Sequence, residues 1–525
     1  MKSGMLLRLV FTGMALGGAS VASAEAAESQ SEFGCQSAYG DIWAEDFTDA
    51  PHREINGASI QTPSDFLRMT GTREAGLKII NGGDFSGWDF SKILLANICF
   101  DNSKLTDSNF AGVQARGIGF IKSDLSGSNM RGAIMPAIFL RNANLSDVAA
   151  QNADFSGGHF DGGWFEGSVE GWNIDGADMS GFTFACGITV PDGCPVYQGG
   201  VKMSANGTDF SGATLHSFGL YDVELTGAIL DQTILAPRQL SYLAQAEFRG
   251  AVVLRGSGSD VNITAEEARY LMAETARQKA VEAQPSFDCA KAVSKVEREV
   301  CGEYAGDLRV ADRDIAILYK RAKSIDSGVI ASQRAWLKQR NQCGVAESPS
   351  GCIRKSYSDR KGQLLGLLGE NQWLARGEAA LFIDDVLPLP AAVVESELFA
   401  RISPILVGAS MTEILIERAD DGLYEIKGSS VGANAHLCSI YASHLYFDKE
   451  SGWYIPVSEG RVIPIFRILD NRLEIFANGR PDYELYPEAG DFMSCGMRAG
   501  LDETIRVNAS DELIDSYRKS LSEEM

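Results

Sequence analysis

Counting every fifth residue from Phe85 gives an unbroken apolar series: Phe85, Phe90, Leu95, Phe100, Leu105, Phe110, Ala115, Phe120, Leu125, Met130, Met135, Leu140, Leu145, Ala150, Phe155, Phe160 and Phe165. The residues two places before them are small or apolar, among them Gly83, Trp88, Ile98, Ser103, Ser108, Ala133 and Val148. A helix repeats at about 3.6 residues and a strand at about 2, so neither gives this spacing. The flanks repeat too. Asp84-Phe85-Ser86-Gly87 returns as Asp124-Leu125-Ser126-Gly127, Asp154-Phe155-Ser156-Gly157 and Asp209-Phe210-Ser211-Gly212. Asp, Asn, Ser and Gly adopt turn conformations readily, so each unit reads as a short extended piece followed by a corner. The phase slips by one residue near Ser168 and resumes at Val169, Ile174, Met179 and Phe184. An insertion over 186–200 follows, and the series returns at Phe210, Leu215, Leu220, Leu225, Leu230 and Leu235.

This pattern resembles the pentapeptide-repeat family, A-(D/N)-L-x-x. The resemblance implies a right-handed quadrilateral β-helix over 81–255, with four units per coil and the central Leu or Phe pointing inward. The units make between six and seven coils, which at the inter-strand spacing of about 4.8 Å is a rod roughly 30 Å long. Each coil buries its apolar face only against its neighbours, so the ends need caps. Residues 25–80 are expected to supply one, and a capping or linker helix within 256–284, from Thr264 to about Glu282, the other.

From Pro285 the spacing becomes helical. Val293, Val296, Val300 and Cys301 mark one face, Ile315, Leu318, Tyr319 and Ala322 the next, and Trp336, Leu337, Ile353, Tyr357, Leu364 and Leu368 follow. Residues 375–525 turn β-rich. Strands are expected at 412–417, 423–426, 440–447, 453–455, 462–466 and 473–476, with turns at Asp420-Asp421-Gly422, Glu450-Ser451-Gly452 and Asp470-Asn471-Arg472. The predicted architecture is therefore multidomain: the β-helix, a small disulfide-stapled helical domain over 285–370, and a small antiparallel β domain, barrel or sandwich, over 375–525.

The helical segment carries Phe287-Asp288-Cys289-Ala290-Lys291-Ala292, then Val296-Glu297 and Cys301, then Leu308, Asp312 and Tyr319. Its best-defined stretch is Gln333-Arg334-Ala335-Trp336-Leu337-Lys338-Gln339-Arg340-Asn341-Gln342-Cys343, and Cys352-Ile353 and Tyr357 close it. It resembles the N-terminal domain of the LprI-type lysozyme inhibitors, with all four family cysteines present and Asn341 where Asp is usual. The resemblance implies a protein partner, a lysozyme. Arg334, Trp336 and Arg340 are then the candidate contacts, because Trp and Arg are favoured at interface hot spots. Against this, a Trp at helical spacing on an apolar face packs between helices, and arginines form ion pairs. The ending Cys495-Gly496-Met497-Arg498-Ala499-Gly500-Leu501-Asp502 resembles a closing motif that follows LprI-type domains in other exported bacterial proteins. The Ser-Gly-x-x-Tyr loop of barrel-bearing lysozyme inhibitors is absent.

The first residues change the setting. Lys2 and Arg8 precede and enter an apolar run to Gly18, and Ala22-Ser23-Ala24 is a small-residue cleavage site. Residues 1–24 read as a secretory signal peptide, and no later stretch is long and apolar enough to span a bilayer. Periplasmic or secreted localisation follows, and it sets aside the cytoplasmic gyrase-protecting role known for some pentapeptide-repeat proteins. The ten cysteines are Cys35, Cys99, Cys186, Cys194, Cys289, Cys301, Cys343, Cys352, Cys438 and Cys495. An even number in an exported chain points to disulfides. Pairs are expected at 186–194, 438–495 and 35–99. In the helical domain the preferred pattern is 289–301 with 343–352, with 289–343 and 301–352, or 289–352 and 301–343, as alternatives. The formal charge of −23 becomes −25 once the two signal-peptide cations are gone. Such a chain does not hold nucleic acid or anionic lipid by bulk electrostatics, and it attracts basic partners.

No H-E-x-x-H, P-loop, G-x-S-x-G or EF-hand loop occurs. With no C-x-x-C either, neither a metal nor a cofactor is expected. Ser358-x-x-Lys361 matches a serine-hydrolase pair but sits in a charged helical stretch and reads as solvated surface. His436 and His444 read as ordinary polar residues, and Trp88, Trp164 and Trp172 as core filling. The expected function is that of an exported, non-enzymatic protein-interaction protein, a lysozyme-inhibitor-like binder with the β-helix as spacer. An envelope scaffold without inhibitory activity is the alternative, and an enzyme seated in the C-terminal domain the second. The oligomeric state is left open.

Overall fold

A five-residue period turns the chain through one corner per unit, and four units return it to its starting line. The structure, a computed structural model, shows this as parallel pairing twenty positions apart: Asp84 pairs with Lys104, Lys104 with Asp124 and Asp124 with Asn144. It describes Cys35 and residues 52–523 except 72–75, 167–168, 186–201, 217, 221–222, 257–258, 371–372, 432–436, 458–461, 470, 478–485, 496–500, 502–503 and 508–510. The expected signal peptide, most of the expected N-terminal cap, the phase slip at Ser168, the 186–194 pair, His436 and most of the closing motif lie outside those residues.

Each residue of the Asp-Phe-Ser-Gly unit has a job at the corner. The Phe85 carbonyl accepts from the Trp88 N–H at 3.1 Å. The Asp84 carboxylate accepts from the Ser86 N–H at 3.0 Å and the Ser86 hydroxyl at 2.6 Å. The residue two past the core position takes a left-handed conformation, as at Gly87 (φ 70°), Asp107 (57°) and Asn142 (53°), which is why Gly, Asn and Asp recur there. Lys122 (φ 50°), Ala137 (φ 53°) and Gln232 (φ 52°) are exceptions.

The twelve Phe and Leu residues of the series from Phe85 to Phe160 are 0–2 % exposed. Aromatic rings stack along the axis, Phe90 on Phe110 at 4.7 Å and Phe100 on Phe120 at 5.3 Å. Hydroxyls two places before the core positions are buried yet satisfied. Ser108 donates to the Phe85 carbonyl at 2.8 Å and Ser128 to Leu105 at 2.9 Å, each on the coil below. A buried donor left without a partner would cost about 1–3 kcal/mol, and this is the reason small hydroxyl residues recur there.

Helix α1 (Pro63–Thr70), capped by Thr62, closes one end. Its Phe66 is fully buried against Phe85, Phe90 and Phe100. Strands β1 (Arg53–Asn56) and β2 (Lys78–Asn81) continue the parallel stack into β3 (Ala96–Asp101) and β4 (Arg116–Ile121). At the other end a hairpin, β5 (Val252–Gly256) and β6 (Ser259–Ile263), leads into helix α2 (Ala265–Glu282). Thr264 and Glu267 form its capping box, and Ala268 and Leu271 enter the core of the coils.

The helical segment forms α3 (Lys295–Val300), α4 (Gly306–Ile325), α5 (Val329–Gln342) and α6 (Pro349–Leu368). Disulfides Cys289–Cys301 and Cys343–Cys352 staple it, with Cα separations of 5.7 and 5.4 Å. Beyond it, strands β7 (Ala379–Asp384), β8 (Thr412–Arg418), β9 (Tyr424–Val431), β10 (Leu437–Phe447), β11 (Tyr454–Pro456), β12 (Phe466–Leu469), β13 (Arg472–Ile475), β14 (Met493–Cys495) and β15 (Thr504–Val507) form one antiparallel sheet. Its order is β9-β8-β7-β15-β13-β12-β11-β10, and β10 pairs back onto β9, closing a barrel. Strand β14 lies beside the first half of β10, where Cys438–Cys495 joins the two. Cys35–Cys99 ties the segment before β1 to β3, at a Cα separation of 5.9 Å.

The barrel region and the coils share one apolar core. Strand β7 is buried on both faces: Phe382 points into the barrel, while Leu381 and Ile383 join the same apolar core as the coils. Helix α7 (Glu397–Gly408), in a segment read as β-rich, packs on the β5–β6 hairpin through Phe399, Ile402 and Ile405. A Cβ on Gly256 would lie 2.9 Å from the Ile405 carbonyl oxygen, so this approach needs glycine there. The barrel is thus a second cap on the β-helix. One strand assignment shifts and three strands are new. The strand expected at 462–466 begins at Phe466, and β7, β14 and β15 were not anticipated.

Candidate functional site

Within the helical module, Asp312 on α4 organises a buried polar cluster. It accepts from the Ser286 N–H at 2.8 Å and the Tyr357 hydroxyl at 2.9 Å, and lies 3.8 Å from the Arg340 guanidinium. Burial, then the charge of Asp312, drives the Tyr357 hydroxyl far above its ordinary range. Arg340 also stacks over Trp336 at 5.5 Å, and the Trp336 indole N–H donates to Ser356. Trp336 and Arg340 are 8 % and 6 % exposed. They were candidate partner contacts, and the structure instead commits both to the module's interior, where α5 must bury a polar-edged ring and a charge against α6. Arg334, the third, is exposed.

The second site lies where the module meets the barrel. Glu474 on β13 binds Arg467 on β12 through two hydrogen bonds, at 2.7 and 2.8 Å, and Lys361 on α6 at 2.7 Å. Asp314 on α4 lies 3.5 Å from Lys361 and pairs with Arg472. Arg467 is fully buried, gives a further hydrogen bond to the Ser358 carbonyl at 3.2 Å, and lies 4.3 Å over the Trp453 ring. Ser358 and Lys361 were expected on a solvated surface. They are 8 % and 4 % exposed, and the Lys361 ammonium is held by Glu474 and Asp314. The helix face they occupy is the one that docks on the barrel, which its charged flanks conceal in sequence. Arg467 and Glu474 carry no motif that marks them in the sequence. The one local mark of Arg467 was a charge inside the apolar run Ile465-Phe466-Arg467-Ile468-Leu469.

Docking is close because α6 presents two glycines. A Cβ on Gly362 would fall 2.2 Å from the Ser451 carbonyl oxygen, and one on Gly366 1.9 Å from that of Lys449. The turn 448–452 therefore rests directly on helix backbone. Beside this contact opens a cleft of about 260 Å³, lined by Asp359 and Gln363 from α6, Glu450 and Trp453 from the turn, and Val462 and Tyr486 from the barrel. Its aromatic wall is fixed edge to face: Trp453 on Phe476 at 5.4 Å and Phe476 on Tyr486 at 5.5 Å.

A third cluster sits where coils, capping helix and barrel converge. Asp384 at the end of β7 pairs with Arg238 of the last coil and accepts from the Met411 N–H at 2.8 Å. Its neighbour Asp385 has a carboxyl oxygen with no hydrogen-bond partner among the described residues. Burial, then the charges of Glu282 and Asp384, push the Asp385 carboxyl up to about 7.

Among the described residues no group of His, Cys, Asp and Glu could hold a metal ion, and no helix is long and apolar enough to cross a membrane. His444 is exposed, and His159 stacks on Phe139 at 4.9 Å on the outside of the coils. Trp172 is buried and Trp88 packs against the core, whereas Trp164 is 37 % exposed.

Residues 123–162 match the family of pentapeptide repeats, in eight copies. Among solved structures, a trypsin-treated form of QnrB1, a plasmid-mediated fluoroquinolone resistance protein, is 18 % identical over 29 % of this chain and 79 % of its own, with a TM-score of 0.18. A pentapeptide repeat protein from the Arabidopsis thaliana thylakoid lumen is 31 % identical over 18 % of this chain and 65 % of its own, with a TM-score of 0.12. HetL, a pentapeptide repeat protein involved in heterocyst differentiation regulation from the cyanobacterium Nostoc, is 19 % identical over 33 % and 72 %, with a TM-score of 0.11. No curated protein matches the chain.

Proposed function

We propose that this pentapeptide-repeat chain is an exported, non-enzymatic interaction scaffold: a β-helix that carries a partner-binding head made of the four-cysteine helices and the barrel. The observation that carries the proposal is the shared core. Leu381, Ile383, Phe399 and Ile402 of the C-terminal half lie in the same apolar cluster as Phe248, Leu254 and Leu271 of the coil end. A head fixed to a rod in this way presents its surface at a set distance and angle, and a preorganised surface binds without the ordering cost of a flexible tether. The export reading rests on the expected signal peptide and on four disulfides, which suit an oxidising compartment. Lys361, the one catalytic-looking cation singled out in the sequence, is engaged by two carboxylates.

The resemblance of residues 285–370 to LprI-type domains makes a muramidase the first partner to test. With Trp336 and Arg340 internal, its contacts would come from exposed residues such as Arg334 and from the acidic rim of the cleft. Adding the full mature chain to c-type and g-type lysozymes, with lysis of cell walls as readout, tests this. Inhibition at micromolar concentration is expected, and undiminished lysis sinks the inhibitor identity. Crosslinking of the chain in its own envelope extract tests the scaffold itself, and recovery of no specific protein partner would overturn it.

A further inference from the structure

We infer that the cleft between α6 and the barrel is a binding site for the basic side chain, arginine or lysine, of a protein partner. The inference rests on the interaction reading above and names the chemistry of its contact. Three observations carry it. The cleft is preformed: Gly362 and Gly366 seat the 448–452 turn on helix backbone, and the Trp453, Phe476 and Tyr486 rings brace one another edge to face. Its size, about 260 Å³, suits one long side chain and is small for a polymer. Its lining then selects the charge.

Among the described residues the rim carries two carboxylates. Glu450 is exposed and makes no ion pair among the described residues; Asp359 is paired with Lys355 at 3.0 Å, but that pair is half exposed and such surface pairs contribute little. The buried cation Arg467 is held by the two-point grip of Glu474, a carboxylate it shares with Lys361. Val462 and Tyr486 offer an apolar flank for the methylene stem, while the guanidinium or ammonium head reaches the rim. The chain's formal charge of −23 adds long-range attraction of basic partners to the same result.

The test titrates the full chain with Nα-acetyl-L-argininamide, whose only charge is the guanidinium, and with its citrulline counterpart, which keeps the shape and loses the charge. Binding is followed by calorimetry and saturation-transfer NMR. Saturable binding of the arginine compound is expected, about tenfold tighter than the citrulline compound, as for a hydrogen-bonded charge, and weaker as salt rises. Glu450→Gln with Asp359→Asn, both at exposed positions, is expected to remove that preference without altering the fold. Val462→Trp, which fills the cleft, is expected to abolish binding of both compounds. Equal affinity for the two compounds, no saturable binding, or binding indifferent to Val462→Trp overturns the inference. A protein partner that holds the wild-type chain and the doubly neutralised variant equally well overturns the cleft and leaves the scaffold standing. Arginine binding in a chain that captures no partner does the reverse.

Discussion

Ser108 and Arg467 are both polar side chains without access to solvent. Ser108 gives its hydroxyl proton to the carbonyl of Phe85, one coil away, and the same bond recurs at Ser128 and Thr233. Arg467 is satisfied by Glu474, on the adjoining strand, and by the carbonyl of Ser358, 109 residues away. The coils thus satisfy buried polar groups by a rule written into each repeat, whereas the head does so by assembling charges from distant segments. The first solution is neutral and spread over many sites. The second concentrates charge at one joint, where losing a single member leaves an unpaired ion in a dry interior.

The largest expected effect follows from that contrast. Glu474→Ala removes the partner of both Arg467 and Lys361 and is expected to cost about 3–5 kcal/mol, the usual penalty for breaking a buried pair. Ser108→Ala leaves one carbonyl short of one hydrogen bond and is expected to cost about 1 kcal/mol. Urea unfolding of the two variants measures both. Equal losses would erase the distinction between the two halves. The double variant Arg467→Met with Glu474→Leu sharpens it: removing both charges together is expected to recover most of the loss.

The same contrast explains what the sequence discloses. The coils were legible because every requirement, the inward Phe or Leu, the Asp or Asn before it and the left-handed residue two places on, falls within five residues of the next. The helices were legible at Trp336 and Tyr357 for the same local reason. The joint was not, because Lys361, Glu474 and Asp314 become neighbours only when the barrel docks on α6, across sequence separations of 113 and 47. Helix α7 is hidden by its β-rich neighbourhood, although Leu398, Phe399, Ile402, Ile405 and Leu406 have helical spacing. The cleft had no local signature, since its lining comes from a helix, a turn and separate barrel segments.

A smaller effect tests whether the halves respond separately to reduction. The loops closed by Cys289–Cys301 and Cys343–Cys352 are short, and each disulfide is expected to contribute about 2–4 kcal/mol to the helical module. The coils contain no bond of that kind between described repeats beyond Cys35–Cys99 at their start. Mild reduction followed by limited proteolysis should therefore cut first within 285–370 and leave a protected fragment containing the coils. Simultaneous loss of both would show that the joint, more than the disulfides, holds the head together.

Asp385 extends the comparison to pH. Its folded carboxyl is raised to about 7 by burial and by Glu282 and Asp384, against an ordinary value of 3.8. Between those values the folded protein holds a proton that the unfolded chain has released. Stability contributed here is therefore greatest at low pH, falls as pH rises through about 7, and is flat above it. The drop is expected to be of order 2 kcal/mol, well under the full conversion of the shift because the charges around it rearrange and Lys279 and Arg472 face it too. Asp385→Asn is expected to remove this slope in denaturation midpoints measured from pH 5.5 to 8.5. A slope that persists in the variant assigns the titration elsewhere.

The smallest effect lies in the coils and has the opposite sign. Ala137 holds the left-handed corner position with φ of 53°, where neighbouring repeats place Gly132, Asn142, Asp147 and Asn152. An L-residue with a Cβ is strained there by about 1 kcal/mol, whereas glycine is not. Glycine also loses more freedom on folding, which offsets part of the gain. Ala137→Gly is thus expected to stabilise the coils by roughly 0.5 kcal/mol, read as a small rise in the unfolding midpoint. No single charge or contact is added, so a gain would show that the corner rule, applied one residue at a time, sets the stability of this half. A loss would mean that the Ala137 methyl packs against the coil more than its backbone resists, and the contrast with the joint would then be one of degree.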